Sequence, residues 1–530
     1  MKYGFIIDNR KCIGCHACTV ACKSEHDVPV GVNRTWVKQV EKGQFPHTQR
    51  LFSVMRCNHC TDAPCVTICP VEALHKREDG IVDFDSDRCI GCKACMQACP
   101  YDALYIDPDT HTAAKCNYCA HRVDVGLEPA CVNVCPEHAI ISGDMEDPFS
   151  EISTMLSQEK VTVRKPEKDT KPNLFYINGD EASLTPTHTQ EEDQYMWSEQ
   201  TGGVGHFAKY AENRKQQANP AEMSAKLAGG KDGSKTQVQA IMEKTRRVYD
   251  APRKGTLWGW EVSAYVWTKA IATGALLVPF MASVSGLANL GTALQWSAVI
   301  VGMLFLAITG GLLIKDLDQP SRFLYILLRP QWKSWLVRGG YAITFYGLAL
   351  TIWAIGLWSE SQVMSSIGLW LGALLGGITS VYTAFLFAQA KGRDFWQSPM
   401  LSFHMLIHSF MAGGAVFAIL GMLGIGESDW LVFVPRLLML CIGLNLAVIL
   451  VELTTPHATA DAKLTVKMIT SGQYKHQFWI GLVGLGNLIP MVLLITGIPI
   501  LIALAAICVL IGIYVSEHIW VQAPQQIPLS

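Results

Sequence analysis

Sixteen of the eighteen cysteines in this 530-residue chain lie between residues 12 and 135. Nothing else in the sequence restricts its fold as strongly. They form four runs of four: Cys12, Cys15, Cys18 and Cys22; Cys57, Cys60, Cys65 and Cys69; Cys89, Cys92, Cys95 and Cys99; Cys116, Cys119, Cys131 and Cys135. The first and third read C-x2-C-x2-C-x3-C. The second widens one gap to four residues and the fourth widens it to eleven, but both keep the opening C-x2-C and the closing C-x3-C. Proline follows Cys69, Cys99 and Cys135, whereas Lys23 follows Cys22.

This spacing is the one that ligates cubane iron–sulfur clusters. Three closely spaced cysteines on a tight loop supply three corners. The fourth cannot fold back onto the same core, so it ligates a neighbouring one, and clusters come in pairs. Sixteen cysteines make four [4Fe–4S] clusters with none left over. Structural zinc also uses C-x2-C pairs, but three cysteines within seven residues crowd a single tetrahedral ion. A disulfide framework belongs to small secreted domains, and thiols this dense would scramble.

Short strands are predicted at residues 2–8, 51–55 and 80–84, giving a repeated strand–loop–helix rhythm around the runs. Runs two and three form one tandem unit. Runs one and four bracket it, and must pair with each other if every fourth ligand crosses over.

The segments RCNHCTDAPCVTICPVEAL, DRCIGCKACMQACPYDA and KCNYCAHRVDVGLEPACVNVCP resemble the four-cluster electron-transfer subunit of the dimethyl-sulfoxide-reductase superfamily. The resemblance covers about residues 1–145. It implies one cluster on Cys12, Cys15, Cys18 and Cys135, and a second on Cys57, Cys60, Cys65 and Cys99. It implies a third on Cys89, Cys92, Cys95 and Cys69, and a fourth on Cys116, Cys119, Cys131 and Cys22. Some relatives replace one cysteine and hold a three-iron cluster; this sequence keeps all sixteen.

The rest of the sequence divides by composition. Residues 146–257 are polar with weak apolar periodicity, and are read as a linker or a partner-binding arm. Residues 258–520 are apolar and hold thirteen of the fifteen tryptophans. Eight runs there are long enough to cross a bilayer: 259–283, 294–314, 336–358, 367–390, 401–424, 430–453, 478–496 and 498–520. Trp258, Trp260, Trp358, Trp396, Trp430, Trp479 and Trp520 lie near run ends, as an interfacial belt requires. Residues 521–530 form a short tail. The predicted fold class is an α+β ferredoxin-like domain over 1–145 followed by an all-α polytopic membrane domain.

Loop charge sets the expected orientation. Lys315, Arg322, Arg329, Lys333, Lys391, Arg393, Lys463, Lys467 and Lys475 fall in the loops of one side. The loops of the other side hold no lysine or arginine. The positive-inside rule then places the cluster domain on the cytoplasmic face of the inner membrane. Met1–Arg10 has no apolar core of signal-peptide length, which agrees. A net charge of −2 suggests no nucleic-acid partner.

DLDQPSRFLYILLRPQWKSWLVRGGYAITFYG and AKGRDFWQSPML resemble the quinone-reactive NrfD/polysulfide-reductase membrane subunit, over about residues 258–520. That resemblance implies a haem-free anchor with a quinol site. Ionisable groups within spans are costly and mark function. Glu261, Tyr265 and Lys269 recur at i+4 in the first span, and His404 and His408 do so in the fifth. These two stripes are the candidate quinone site. His457, His476 and His518 lie at or beyond run ends, so facing haem ligands are lacking. Arg436, Asn445 and Glu452 string along the sixth span as a thin proton path.

The chain carries no strand-linked GxGxxG and no P-loop. It is therefore read as an electron-transfer and membrane-anchor subunit, relaying electrons between a catalytic partner and the quinone pool. The first resemblance implies a molybdenum or tungsten bis-pterin (molybdopterin-type) catalytic partner. The competing readings are an ion-translocating respiratory module and a passive anchor.

Overall fold

The computed structural model describes residues 1–44, 47–191, 245–252, 254–426 and 428–530. The part of the predicted arm within 192–244 lies outside them. The chain divides into two compact units. The first comprises Met1–Leu257 together with two short returning segments, Ala390–Arg393 and Gln526–Ser530. The second comprises Trp258–Gln389 and Asp394–Gln525.

In the first unit, the strand Tyr3–Asp8 is central to a four-stranded sheet. It runs antiparallel to Ile140–Asp144 and parallel to Leu174–Ile177, with Val161–Thr162 beyond. Phe5, Ile7, Ile140, Leu174 and Tyr176 from this sheet are fully buried in one apolar core with Trp36, Val54 and Met55. The last three come from a long hairpin, Thr35–Gln44 with His47–Arg56, which Thr245–Tyr249 and Gln190–Glu191 extend. Residues past 145, read as linker or arm, thus supply two strands to the first sheet and two to the second. The sequence hides this because the strands are short and their attachments to Tyr3–Asp8 and Thr35–Gln44 lie more than a hundred residues away.

Runs two and three build the same motif twice. Each passes from its cysteine loop into a one-turn helix, Pro64–Ile68 or Ala94–Ala98. Each then leaves through Cys-Pro into a small hairpin, Leu74–Lys76 with Val82–Phe84 or Leu104–Ile106 with Ala113–Lys115.

Among the described residues, the second unit contains eight helices long and apolar enough to span a membrane: Trp260–Ser285, Thr292–Lys315, Trp335–Trp358, Gln362–Gln389, Met400–Met422, Ser428–Thr454, Gln477–Ile495 and Pro499–Gln526. They match the eight predicted runs in order, so this is a multi-pass membrane protein. The first span is the most enclosed, with 72% of its apolar window buried against 22% for the second. Ile300, Leu304 and Ile308 of the second span are exposed, as a lipid-facing surface requires. The seventh span is wound as a π-helix over Gln477–Leu488, a form usually confined to short functional bulges.

The first and fifth spans touch backbone to backbone. A Cβ on Gly274 would meet the Ser409 carbonyl and the Gly413 backbone, and one on Gly413 would meet Gly274. Small residues permit such close approach in membranes. Gly274→Val should therefore force the two spans apart and cost about 1–3 kcal/mol, read as a lower midpoint in detergent thermal unfolding. An unchanged midpoint would show that the contact is dispensable.

The tryptophan belt is only partly as predicted. Trp260, Trp358 and Trp479 are exposed, but Trp258, Trp396, Trp430 and Trp520 are buried. Trp396 stacks on Trp258 and Phe387, and its indole N–H donates to the Trp520 carbonyl at 2.7 Å. Position along a helix sets depth, but the face decides whether a ring meets lipid or protein.

Candidate functional site

In the first unit, the backbone of each C-x2-C turn follows one rule. The residue before the second cysteine has left-handed φ: Gly14 at 71°, His59 at 42°, Gly91 at 69° and Tyr118 at 63°. Glycine adopts this freely at Gly14 and Gly91, whereas a larger residue is strained by roughly 1–2 kcal/mol. The two larger residues are tied down by side-chain bonds. Tyr118 donates its hydroxyl proton to the Gly4 carbonyl (2.6 Å) and accepts from Gly143 N–H (3.1 Å). His59 Nδ1 accepts from Val82 N–H at 3.1 Å. Asn173, from the segment past 145, braces the same loop: its amide donates to the His59 carbonyl at 2.6 Å.

These loops bring cysteines of different runs together. Cys12, Cys15, Cys18 and Cys135 line one cavity. Cys69, Cys89, Cys92 and Cys95 line another. Cys57, Cys60, Cys65 and Cys99 lie within electrostatic range of one another. So do Cys22, Cys116, Cys119 and Cys131. In each set the fourth member comes from a different run. All eighteen cysteines of the chain are unbridged.

The donor set suits a multi-iron core better than zinc. Among the described residues, no three Cys, His, Asp or Glu side chains converge closely enough to hold one ion. Burial pushes the thiols of Cys18 and Cys119 up to about 12 and raises those of Cys22, Cys60, Cys65 and Cys95. Thiols held protonated in this way are inert as free groups, and metal binding displaces their protons. Backbone N–H groups already point at sulfur: Ala113 N–H donates to Cys89 Sγ (3.4 Å) and Ala139 N–H to Cys135 Sγ (3.3 Å).

In the second unit, the two predicted stripes lie on packed helices, but they do not converge as a whole. Glu261 is partly exposed and pairs with Lys315 at 3.4 Å. Tyr265 and Lys269 are buried. The Lys269 ammonium donates to Thr383 Oγ1 at 2.6 Å and lies 4.6 Å from the centre of the Tyr382 ring. His404 and His408 are fully buried, with ring centroids 4.2 Å apart in an edge-to-face contact.

The histidines meet two carboxylates. His408 Nδ1 is 2.6 Å from Glu517 Oε1. His404 Nδ1 is 3.7 Å from Glu452 Oε2, and that oxygen accepts from Trp520 Nε1 at 3.0 Å. His404 Nε2 bonds Ser516 Oγ at 3.2 Å. Lys269 interacts electrostatically with Glu517. Asn445 donates to Asn487 of the π-helical segment at 3.0 Å. Asn445 also interacts with His408, and Glu452 Oε1 is buried with no hydrogen-bond partner among the described residues.

Glu517 is absent from the predicted site. Its signal was present, as a single carboxylate in the apolar run IYVSEHIW. The predicted string along the sixth span is broken. Asn445 and Glu452 are buried, but Arg436 is exposed. Nine residues separate Arg436 from Asn445, which is half a turn out of phase at 3.6 residues per turn.

Convergent cysteines in one unit and an apolar eight-span bundle in the other define an iron–sulfur electron carrier fused to a membrane subunit. Residues 251–528, more than half of the sequence, match the family described as polysulphide reductase, NrfD, and this protein belongs to that family. Residues 48–145 match a 4Fe-4S dicluster domain and residues 10–31 a 4Fe-4S binding domain.

The B subunit of tetrathionate reductase from Salmonella typhimurium is 46% identical over 203 residues, 37% of this chain and 80% of that protein. The B component of polysulfide reductase from Wolinella succinogenes is 44% identical over 181 residues, 33% of this chain and 94% of that protein. A putative dimethyl sulfoxide reductase iron–sulfur subunit from Halobacterium salinarum is 33% identical over 261 residues, 44% of this chain and 99% of that protein. The chain is an electron-transfer iron–sulfur and NrfD membrane subunit of the kind found in reductase complexes, which implies catalytic partner subunits.

Proposed function

We propose that this chain carries electrons between the quinone pool and a molybdenum or tungsten bis-pterin catalytic subunit, at the cytoplasmic face of the inner membrane. The reductase names of its relatives favour flow from quinol to the partner. The observation that carries the reading is the gathering of sixteen cysteines into four crossed sets, in a protein whose spans enclose a histidine–carboxylate cluster. Cys12, Cys15, Cys18 and Cys135 would hold one [4Fe–4S] cluster, and Cys57, Cys60, Cys65 and Cys99 a second. Cys89, Cys92, Cys95 and Cys69 would hold a third, and Cys116, Cys119, Cys131 and Cys22 a fourth. Each cluster, when bound, supplies one-electron storage.

Quinol oxidation releases two protons with its two electrons, so its site needs a base beside a hydrogen-bond donor. His408, held by Glu517 and interacting with Asn445, accepts a proton from a quinol hydroxyl through Nε2. Lys269 and Tyr265 supply donors on the facing helix. Glu261 stands outside this group through its pairing with Lys315, and orients the entrance of the first span instead. No haem takes part in this scheme.

The test is direct. The purified protein is reconstituted in lipid vesicles and given a reduced quinol analogue under anaerobic conditions. Cluster absorbance should bleach at a rate that saturates with quinol. Bleaching by dithionite but never by quinol would refute the quinone reading. The ion-translocating reading draws on the burial of both Glu452 and Glu517. It would be favoured if Glu452→Gln abolished vesicle acidification while quinol oxidation persisted.

A further inference from the structure

Arg56 closes the long hairpin and precedes Cys57, and its side chain is completely buried. Its guanidinium lies 4.5 Å from the centre of the Phe5 ring, and Nη1 donates to Cys131 Sγ at 3.1 Å. Nε and Nη2 are buried with no hydrogen-bond partner among the described residues. Among the described residues, Arg56 forms no ion pair to Asp or Glu. Cys22, Cys116, Cys119 and Cys131 all interact with its charge, as does Cys18 of the neighbouring set. Lys115, another fully buried cation of this region, directs its ammonium to the carbonyls of Val82 and Cys116 and acts on Cys57 and Cys65 of a different set.

A buried guanidinium without a carboxylate is costly unless another negative charge faces it. A core held by four thiolates is such a charge, and its potential responds to net charge and to hydrogen bonds on sulfur. Reduction adds one electron to that core, and a fixed cation beside it stabilises the added charge.

We propose that Arg56 sets the potential of the cluster on Cys116, Cys119, Cys131 and Cys22, holding it above the value the cysteines alone would give. The cluster beside it, through Cys18, feels the same charge more weakly. Arg56 is a positioning residue for electrons rather than a ligand. This inference rests on the proposed ligand sets.

The test uses the full-length protein in detergent, with iron content measured first and midpoint potentials read by electron paramagnetic resonance during redox titration. Arg56→Gln should lower one potential so that the oxidised-to-reduced ratio at fixed poise rises at least tenfold, about 59 mV for a one-electron couple. A second potential should move less, and Arg56→Lys should restore most of the shift. Full iron with every potential unchanged in Arg56→Gln would overturn the inference. If that variant fails to load iron, pulsed resonance on the wild-type protein grown with guanidino-¹⁵N arginine decides. A nitrogen coupling on one cluster, lost in Cys131→Ala together with that cluster, supports the assignment, and its absence removes it. If wild-type iron falls well short of four clusters, the ligand reading fails, independently of Arg56.

Discussion

Cys99→Ala should erase the same cluster as Cys65→Ala, and a different one from Cys95→Ala. Cys99 and Cys95 are four residues apart on one short helix and its exit, so proximity in sequence predicts the opposite. The crossed geometry decides it: Cys65 interacts with Cys99, Cys57 and Cys60, whereas Cys95 interacts most strongly with Cys92, Cys89 and Cys69. Each variant should drop from roughly sixteen irons per polypeptide to about twelve, or to about fifteen if a three-iron core survives. The resonance spectra sort the variants into groups. Identical spectra for Cys99→Ala and Cys95→Ala, distinct from Cys65→Ala, would refute the crossed pairing.

His408→Ala should cut quinol oxidation by about 100-fold to 10,000-fold, the range for loss of a positioned proton acceptor. It should also cost stability, because Glu517 would be left buried without its partner; breaking such a pair costs about 3–5 kcal/mol. The two effects are separable. In the double variant His408→Ala with Glu517→Gln, no carboxylate is stranded, so part of the stability should return, less what Lys269 loses with the Glu517 charge, while quinol oxidation stays low. Turnover that recovers together with stability would make the pair a packing element only. Stopped-flow bleaching and thermal unfolding on the same preparations give both readings.

What the sequence disclosed follows a physical pattern. The eight spans were legible because bilayer thickness fixes the length of an apolar run, and most predicted ends fall within two residues of the observed ones, the exceptions being the start of the fourth span at Gln362 and the end of the last at Gln526. The cysteine runs were legible because cluster ligation fixes spacing. Helix faces were not: Arg436 and Glu452 look equivalent along one span, yet one is exposed and the other buried. Only the neighbouring helices determine that, and they are remote in sequence. For the same reason Glu517, a single carboxylate at the end of the last span, carried no local sign that it meets His408. The strand Leu174–Ile177 escaped because a parallel partner is always distant in sequence.

The polypeptide passes between its two units four times, at Leu257–Trp258, Gln389–Ala390, Arg393–Asp394 and Gln525–Gln526. Within the first unit, the returning segments are used. Gly392 N–H donates to the Gln97 carbonyl (3.1 Å), Arg393 bonds Gln97 Oε1 (2.9 Å) and the Ile527 carbonyl (2.6 Å), and Arg164 donates to the Leu529 carbonyl (3.1 Å). Scissors placed after residue 257 would therefore not release a finished ferredoxin. They would leave Arg164 without its Leu529 acceptor and Gln97 without Gly392 and Arg393, so a fragment ending at residue 257 should unfold at a lower temperature than the same unit in the whole protein.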